Sequence, residues 1–286
     1  MRLRFHTYDV FTDTPFAGNP LAIVEGADGL STAQMQTIAR EFNLSETIFV
    51  MAPKDPAHTA KVRIFFPTAE VPFAGHPTIG CALHLAQGRN TRITLEEEAG
   101  LVPVTIQDGR AEFTAPVTPR SKGVTPDIGL VCAALDLGTL DVSGDAPIGV
   151  HEGGPAFLYV PVAGLPALAR ARPSEPHWSQ LMNACGVDSA YLYAPNADGY
   201  RARMFSPTAG IPEDPATGSA SALLASALLE AGHLPEGETV IPLVQGVEMG
   251  RPSHITMTAT VADGALHSVR VAGRAQAIAQ GDILAP

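Results

Sequence analysis

Two stretches of this chain, about half its length apart, repeat one another. RIFFPTAEVPFAGHPTIGCAL covers residues 63–83, and RMFSPTAGIPEDPATGSASAL covers residues 203–223. Their Arg-x-Phe and Pro-Thr-Ala segments coincide, and after a slip of one residue His76–Thr78 meets Pro215–Thr217. A match over so long a span indicates two copies of one unit, each with a strand, a turn, a Gly-rich loop and a helix.

The duplication sets the expected domain organisation. The chain has 286 residues, enough for two domains of ordinary size. We predict an N-terminal repeat over residues 1–120 and a C-terminal repeat over residues 121–286, with the C-terminal strand near 275–286 as a candidate to join the first repeat. The Pro-rich segment PVTPRSKGVTP, around Thr118–Pro126, is the candidate linker.

Strands dominate the local pattern. Short β-type runs such as ETIFVMA, KVRIFF and LVPVTIQ recur, with Gly, Pro and Asp between them. One clear helix is predicted where apolar residues from Met35 to Phe42 follow the i, i+3, i+4, i+7 spacing. Ser31 or Thr32 can cap its start, and Asn43 suits a left-handed residue at its end.

A helix is also predicted after each of the two paired loops. The first runs from about His76 to Gln87, and the second follows DPATGSASALLASALLEAG and closes at Gly232. Helix N-termini expose unpaired N–H groups and carry a partial positive charge, so they bind anions such as carboxylates. Both loops are therefore candidate binding sites for a small acidic substrate.

Five residues of these loops are candidate ligand contacts. Gly75 and Gly218 would let the backbone approach the ligand, Ser219 adds a hydroxyl, and His76 and Asp214 add one polar side chain from each repeat. Each also has a structural alternative, as a turn glycine or a helix-capping side chain. The duplication favours the functional interpretation, because it places polar groups at equivalent points of both loops.

Glu46 lies at a helix-to-strand corner, directly before the apolar run Thr47–Val50. A carboxylate beside a buried strand is costly unless a hydrogen bond or a charge meets it. The alternatives are a solvated corner residue, an ion pair with an arginine, or a functional carboxyl group directed into a cleft.

Charge and cysteine usage exclude several classes of function. Eighteen Lys and Arg residues stand against 29 Asp and Glu residues, a net charge of −11, which disfavours nucleic acid and anionic membranes as partners. The start of the chain lacks the apolar stretch of a secretory signal, and no segment approaches the ~20 apolar residues of a membrane span. Cys81, Cys132 and Cys185 form no CxxC pair, so a disulfide framework and a structural zinc site are not indicated. These features predict a cytoplasmic protein.

Five segments form an ordered set along nearly the whole chain. They are FAGNPLAIV (Phe16–Val24), NLSETIFV (Asn43–Val50), FAGHPTIGCA (Phe73–Ala82), EDPATGSA (Glu213–Ala220) and QGVEMGRPS (Gln245–Ser253). Together they resemble the signature blocks of the phenazine-biosynthesis PhzF-like family. The set is specific as a whole, although ATGSA alone would be a weak signal.

The resemblance implies a diaminopimelate-epimerase-like α/β (α+β) fold. In that fold two pseudo-symmetric domains each curl a mixed sheet around a central helix, and the active site lies in the cleft between them. The resemblance also implies a homodimer without a cofactor, and no metal-ligand set is identified. The family's best-understood member isomerises trans-2,3-dihydro-3-hydroxyanthranilate.

The resemblance assigns roles to four residues. The family's catalytic glutamate matches Glu46, and its active-site His, Asp and Ser match His76, Asp214 and Ser219. Glu46 would move a proton from C3 of the ring to C1, a task suited to a carboxyl group whose pKa is raised in a dry cleft. The helix starts at Gly75 and Gly218 would hold the substrate carboxylate.

Three alternatives to this function stay open. Related racemases use two cysteines, but Cys81 aligns with Ala220, so the sequence disfavours a two-thiol racemase. The chain could be an isomerase or epimerase of another small amino or hydroxy acid. It could also be a non-catalytic small-molecule- or protein-binding protein, although the intact set of polar residues favours an enzyme.

Overall fold

The computed structural model describes residues 2–286, apart from the side chain of Ala209. The α-helices are α1 (Thr32–Phe42), α2 (Gly75–Ala86), α3 (Ile128–Leu135), α4 (Leu165–Arg170), α5 (His177–Cys185) and α6 (Gly218–Glu230). The strands of the first half are β1 (Arg2–Val10), β2 (Asn19–Glu25), β3 (Glu46–Met51), β4 (Ala60–Phe65), β5 (Glu70–Val71), β6 (Thr91–Glu97), β7 (Gly100–Gln107) and β8 (Arg110–Thr114). The others are β9 (Arg120–Ser121), β10 (Gly149–Glu152), β11 (Ala156–Pro161), β12 (Ala190–Asn196), β13 (Gly199–Ser206), β14 (Ile211–Asp214), β15 (Gly237–Gln245), β16 (Ser253–Ala262), β17 (Ala265–Gly273) and β18 (Ala275–Leu284).

The chain divides into two units. The first comprises the stretch that ends at Pro116 together with Arg251–His254 and Val271–Pro286, and the second comprises Val117–Gly250 and Ile255–Arg270. The first unit therefore includes the C-terminal strand β18. The repeat boundary at residue 120 stays a prediction, because units are defined by packing and repeats by ancestry.

The first unit is a mixed sheet around α2. Its strands pair in the order β18, β1, β2, β3, β4, β6, β7, β8, with β5 beside the end of β4. The pairs β2–β3 and β4–β6 are parallel and the others are antiparallel. α2 contacts β1, β2, β3, β6, β7, β8 and β18, so the sheet curls around this helix.

Helix α1 packs against the first unit's sheet in a second apolar cluster. Met35 and Ile38 of α1 are buried together with Phe49 and Phe65 of the sheet. β3 also contacts α2, so this strand is covered by both helices and every one of its residues is buried. Glu46 begins that strand.

The second unit repeats this arrangement around α6. Its strands pair in the order β9, β10, β11, β12, β13, β15, with β14 beside the end of β13. The parallel pairs are β11–β12 and β13–β15, in the same places as in the first unit. α3, α4 and α5 supply a further core that includes the fully buried Trp178. The predicted fold class, with two similar mixed-sheet units and a central helix in each, is confirmed.

The predicted helix starts and ends are confirmed in detail for α1. Ser31 accepts a hydrogen bond from the Gln34 N–H in a capping box, and Asn43 ends the helix with φ 49°. α2 begins one residue before the predicted start and ends at Ala86, where Gln87 takes the left-handed conformation. The predicted linker contains the short strand β9 rather than coil alone.

The sequence alignment of the two loops was wrong by several residues. Arg63 pairs with Glu70, as Arg203 does with Glu213, and the helices begin at residues 75 and 218. The offset between the repeats therefore grows from 140 residues at the arginines to 143 at the glutamates, so three extra residues lie in the turn between β13 and β14. Cys81 consequently aligns with a leucine of α6, not with Ala220. The conclusion that no cysteine pair exists is unchanged. None of the helices of residues 2–286 has the length and apolarity of a membrane-spanning segment.

Candidate functional site

Glu46 is a buried carboxyl group next to the start of α2. It is 7% exposed, and its Oε2 atom lies 3.4 Å from Nδ1 of His76. The strand register fixes this position, because parallel pairing sets Glu46 beside Leu21 at the first step of β3. The solvated-corner alternative is therefore wrong, and the structure brings the two predicted residues Glu46 and His76 into contact.

His76 is held as a neutral imidazole. It is the second residue of α2 and 2% exposed, and Nδ2 of the buried Asn19 lies 3.3 Å from its Nδ1 atom. Burial lowers the pKa of His76 to about 3, and a backbone hydrogen bond with Pro20 opposes this only in part. The contact with Glu46 is thus a carboxyl–imidazole contact, not an ion pair between opposite charges.

This contact places one proton position between two groups that both exchange protons. A neutral imidazole protonated at Nδ1 donates to the Glu46 carboxylate, whereas one protonated at Nε2 accepts at Nδ1 from the acid form of Glu46. The pair can therefore accompany Glu46 through both of its protonation states without ionising the ring. A group that gives and takes a proton needs such a neighbour.

Arg251, which sequence reasoning did not assign, fixes the loop before Asn19. Its guanidinium donates to the carbonyls of Ala17 (2.8 Å) and Gly18 (2.8 Å) and lies 2.5 Å from the buried carboxylate of Asp9. Two of the sequence blocks that carry the resemblance thus meet in the first unit. The signal was present in both blocks, but only the fold reveals their contact.

Glu97, at the end of β6, is a second buried carboxyl group at the start of α2. The Thr78 hydroxyl lies 2.7 Å from Glu97 Oε1 and 2.8 Å from the carbonyl of Ala74. A hydroxyl carries one proton and a carbonyl only accepts, so Thr78 donates to Ala74 and a protonated Glu97 donates to Thr78. Burial accordingly raises the pKa of Glu97 to about 8. No motif pointed to this residue, because its position depends on sheet register.

Asp214 is buried at the end of β14 in a network of neutral side chains. Thr217 Oγ1 donates to its carboxylate at 2.6 Å, and Gln245 Nε2 donates to its main-chain carbonyl at 2.8 Å. Gln245 also accepts from the Thr217 N–H at 3.2 Å and donates to Thr217 Oγ1 at 3.0 Å. These bonds hold the loop in front of α6, and the sequence had quoted Gln245 only as the first letter of a block.

The helices α2 and α6 differ from α1 and α3 at their first residues. Ser31 and Asp127 cap α1 and α3 through their side chains, but Ala74 and Thr217 make no such bond for α2 and α6. The starts of the two central helices thus lack the ordinary cap that would compete with an anionic ligand. Gly75 and Gly218 are the first residues of these helices.

The other predicted site residues lie as follows. Gly75 precedes His76 in the first turn of α2 and is buried. Gly218 and Ser219 form the first turn of α6, where Gly218 is buried and Ser219 is half-buried. The sites of the two units are each assembled around a helix start. All three cysteines are free and buried, and burial raises the pKa of the Cys81 thiol inside α2, so it is a core residue.

The chain matches known proteins over nearly its whole length. The family model of PhzC-PhzF, phenazine biosynthesis-like protein, matches residues 8–281. An uncharacterized isomerase of Mesorhizobium japonicum is 39% identical, with 96% of this chain and 97% of the relative covered. The trans-2,3-dihydro-3-hydroxyanthranilate isomerase of Pseudomonas aeruginosa is 35% identical, with 97% of this chain and 98% of the relative covered.

A solved structure supports the same assignment. The phenazine biosynthesis protein of the PhzF family from Bacillus anthracis superposes with a TM-score of 0.89 at 25% identity, and 99% of each chain is covered. Sequence blocks, fold and matched length agree, and the chain therefore belongs to the phenazine biosynthesis-like PhzC-PhzF family.

Proposed function

We propose that the protein is a cofactor-independent isomerase that shifts a proton within a small cyclic carboxylate, with Glu46 as the group that moves it. The protein is an isomerase of the PhzF type, as its relatives' names indicate. The observation that carries the role of Glu46 is its contact with a buried, neutral His76 at the uncapped start of α2.

The proposed substrate is trans-2,3-dihydro-3-hydroxyanthranilate, which the name of the P. aeruginosa relative gives as that enzyme's substrate. The Glu46 carboxylate would take the proton from C3 of the ring, and the resulting acid would return a proton at C1. The double bonds shift between these two steps, so atoms and charge balance without an oxidant. One carboxyl group suffices because it can reach both carbons from one face of the ring.

The remaining predicted residues would bind and orient this substrate. The helix starts at Gly75 and Gly218–Ser219 would hold the carboxylate through N–H groups and a hydroxyl. His76 would stabilise charge as it moves through the ring, and Asp214 would accept from the amino or hydroxyl group. The fixed hydrogen bond from Thr217 keeps the Asp214 carboxylate in one orientation.

A second candidate function is the same proton transfer on another small amino or hydroxy acid. The Mesorhizobium relative, at 39% identity, is named only as an isomerase, so the shared chemistry is not tied to one substrate. The residues proposed for proton transfer would serve both functions, and the substrates would be distinguished by the walls of the pocket.

The proposal extends to location and assembly. We infer a cytoplasmic homodimer, in which the three free, buried cysteines suit a reducing compartment. Light scattering after gel filtration tests the dimer, and a monomeric mass at micromolar concentration would contradict it.

The central experiment follows the ultraviolet spectrum of the proposed substrate and the uptake of solvent deuterium. The wild-type protein is expected to convert the substrate, and Glu46→Gln to lose about 10²–10⁴-fold in kcat while still binding product. Glu41→Gln is the matched control, because Glu41 is an exposed glutamate on α1.

The outcomes separate the candidates. A wild-type protein that leaves this substrate unchanged but exchanges deuterium into another small cyclic acid supports the second candidate. Full activity in Glu46→Gln would overturn the role of Glu46, and absence of exchange with every acid of the panel would overturn the isomerase proposal.

A further inference from the structure

A separate group of polar side chains lies at the far end of α2 from His76. His6 lies on β1, Glu25 ends β2, and His84 lies in the last turn of α2. The Nε2 atoms of His6 and His84 lie 3.1 Å and 2.7 Å from the same Glu25 oxygen, Oε1. His84 follows His76 by eight residues, about 12 Å along a helix, so the group is distinct from the proposed catalytic pair.

Three metal-binding atoms therefore converge from three different elements. The ligand atoms of His6, Glu25 and His84 all lie within 4.8 Å of one another. Two imidazole nitrogens and one carboxylate oxygen form a donor set typical of divalent first-row transition ions, and zinc in particular. We propose that His6, Glu25 and His84 bind one divalent transition-metal ion, with a water molecule in the remaining position.

Tyr8 supports the orientation of one ligand. Its hydroxyl lies 3.1 Å from Nδ1 of His84, the nitrogen that faces away from the proposed ion. Metal-bound histidines almost always hydrogen-bond a neighbour through their other nitrogen, which fixes the ring and its tautomer. His6 and Tyr8 are two residues apart on β1 and so lie on the same face of the sheet.

The surroundings favour a cation and give it access. The C-terminal end of a helix carries a partial negative charge, and α2 ends at Ala86, two residues after His84. A pocket of about 260 Å³ adjoins the cluster and is lined in part by Glu25, His84 and Asp28. The side chains of His6, Glu25 and His84 are 18%, 40% and 12% exposed, so an ion can enter from solvent without unfolding.

The ion would act on stability. Its ligands join β1, β2 and the last turn of α2, so it would bind the folded chain far better than the unfolded one and raise the melting temperature. The proposed isomerase chemistry does not use it. Spacings of 19 and 59 residues between the ligands match no metal motif, which is why the sequence gave no sign of the site.

The test uses untagged protein freed of metal by a chelator. We expect one Zn²⁺ per chain in competition with a chromophoric chelator, a visible d–d absorption with Co²⁺, and a higher melting temperature with either ion. His6→Ala and His84→Ala should each weaken Zn²⁺ binding more than about 100-fold, and Tyr8→Phe by about 10–100-fold. His177→Ala, an exposed histidine on α5, is the matched control and should bind as the wild type does.

A further variant guards against simple unfolding. Glu25→Gln keeps the shape and one hydrogen-bonding oxygen but loses the charge, and its melting curve without metal reports whether the fold is intact. The proposal is overturned if wild type binds Zn²⁺ no more tightly than the variant with both His6→Ala and His84→Ala. It is also overturned if an intact Glu25→Gln binds Zn²⁺ with unchanged affinity.

Discussion

The two units present different chemistry at equivalent positions. The strand registers pair Thr47 with Phe65 and Ala190 with Phe205, so the counterpart of Glu46 in the second unit is Ser189. The registers β4–β6 and β13–β15 likewise make Gln245 the counterpart of Glu97. The helix starts make Ser219 the counterpart of His76.

At each of these three positions the first unit carries a titratable group and the second a neutral one. Serines and a glutamine hydrogen-bond but do not exchange protons near neutral pH. The duplicated frame therefore holds one proton-transfer set and not two. A racemase needs an acid and a base on opposite faces of a carbon, whereas an isomerase that removes and returns a proton on one face needs a single set. The asymmetry supports the latter.

The largest expected effect contrasts His76 with Ser219. His76→Asn should lower kcat by about 10²–10³-fold, because it removes a group proposed to stabilise charge in the transition state. Ser219→Ala should instead raise KM by about 10-fold with little change in kcat, since a hydrogen bond to a charged ligand contributes ~1.5–3 kcal/mol. Steady-state kinetics on the substrate identified above separates the two, and equal effects on kcat would break the comparison.

The next effect concerns the residues that end β6 and β15. Gln245→Glu should lower the free energy of unfolding by about 3 kcal/mol or more at pH 7. It removes both donor hydrogens from Asp214 and Thr217 and places a carboxyl group at a position that is 0% exposed. Urea unfolding measures this change.

The reverse exchange, Glu97→Gln, is the control for that experiment. An amide can donate to Thr78 as the protonated acid does, so the loss at pH 7 should stay below about 1 kcal/mol. Comparable losses in Gln245→Glu and Glu97→Gln would show that the two positions are not chemically distinct.

A third test uses the pH dependence of stability. Between pH 6.5 and 8 the folded state keeps the Glu97 proton, whereas the unfolded chain, with an ordinary pKa of 4.5, has lost it. Unfolding then releases a proton, so stability falls as pH rises through this window, by at most ~1.4 kcal/mol per pH unit. His76 has the opposite sign, but its contribution lies between pH 3 and 6.5, because its folded pKa is lowered from 6.5.

Glu97→Gln should therefore flatten the curve between pH 6.5 and 8. Urea unfolding at several pH values in that window compares it with the wild type. Parallel curves for the two proteins would mean that Glu97 is already ionised in the folded state.

The smallest effect compares the hydroxyls one turn inside each helix. Thr78 and Ser221 both donate to the carbonyl of the residue before the helix. Ser221→Ala should cost about 1 kcal/mol of stability, and Thr78→Val about 2 kcal/mol, since it also leaves the buried Glu97 without its partner. Thermal unfolding measures both, and a larger loss in Ser221→Ala would contradict the assignment of a protonated Glu97.

Local signals in the sequence predicted the local structure well. The capping residue, the apolar stripe and the left-handed Asn43 each act within a few residues, and α1 follows them closely. The loop alignment failed because the three extra residues lie in an exposed turn between β13 and β14, where neither hydrophobic period nor capping constrains the chain. The matching ion pairs of Arg63 and Arg203 with Glu70 and Glu213 reveal the true register.

The candidate site was predictable only where a motif carried it. Glu46 and His76 stand in separate blocks, and their contact confirms nothing more than that the blocks meet. Glu97 and Gln245 were missed because their positions follow from parallel strand pairing between distant segments. Arg251 was missed for the same reason, since it binds the carbonyl of Gly18 across 233 residues of chain.

The place of β18 has a consequence for how the protein is made. β1 is hydrogen-bonded to β2 on one edge and to β18 on the other, yet residues 275–284 leave the ribosome last. The sheet of the first unit thus waits for the end of translation, with one edge of β1 unpaired and open to intermolecular strand pairing. A fragment truncated after residue 120 keeps that open edge permanently, so the half of the chain synthesised first is the half that cannot finish folding alone.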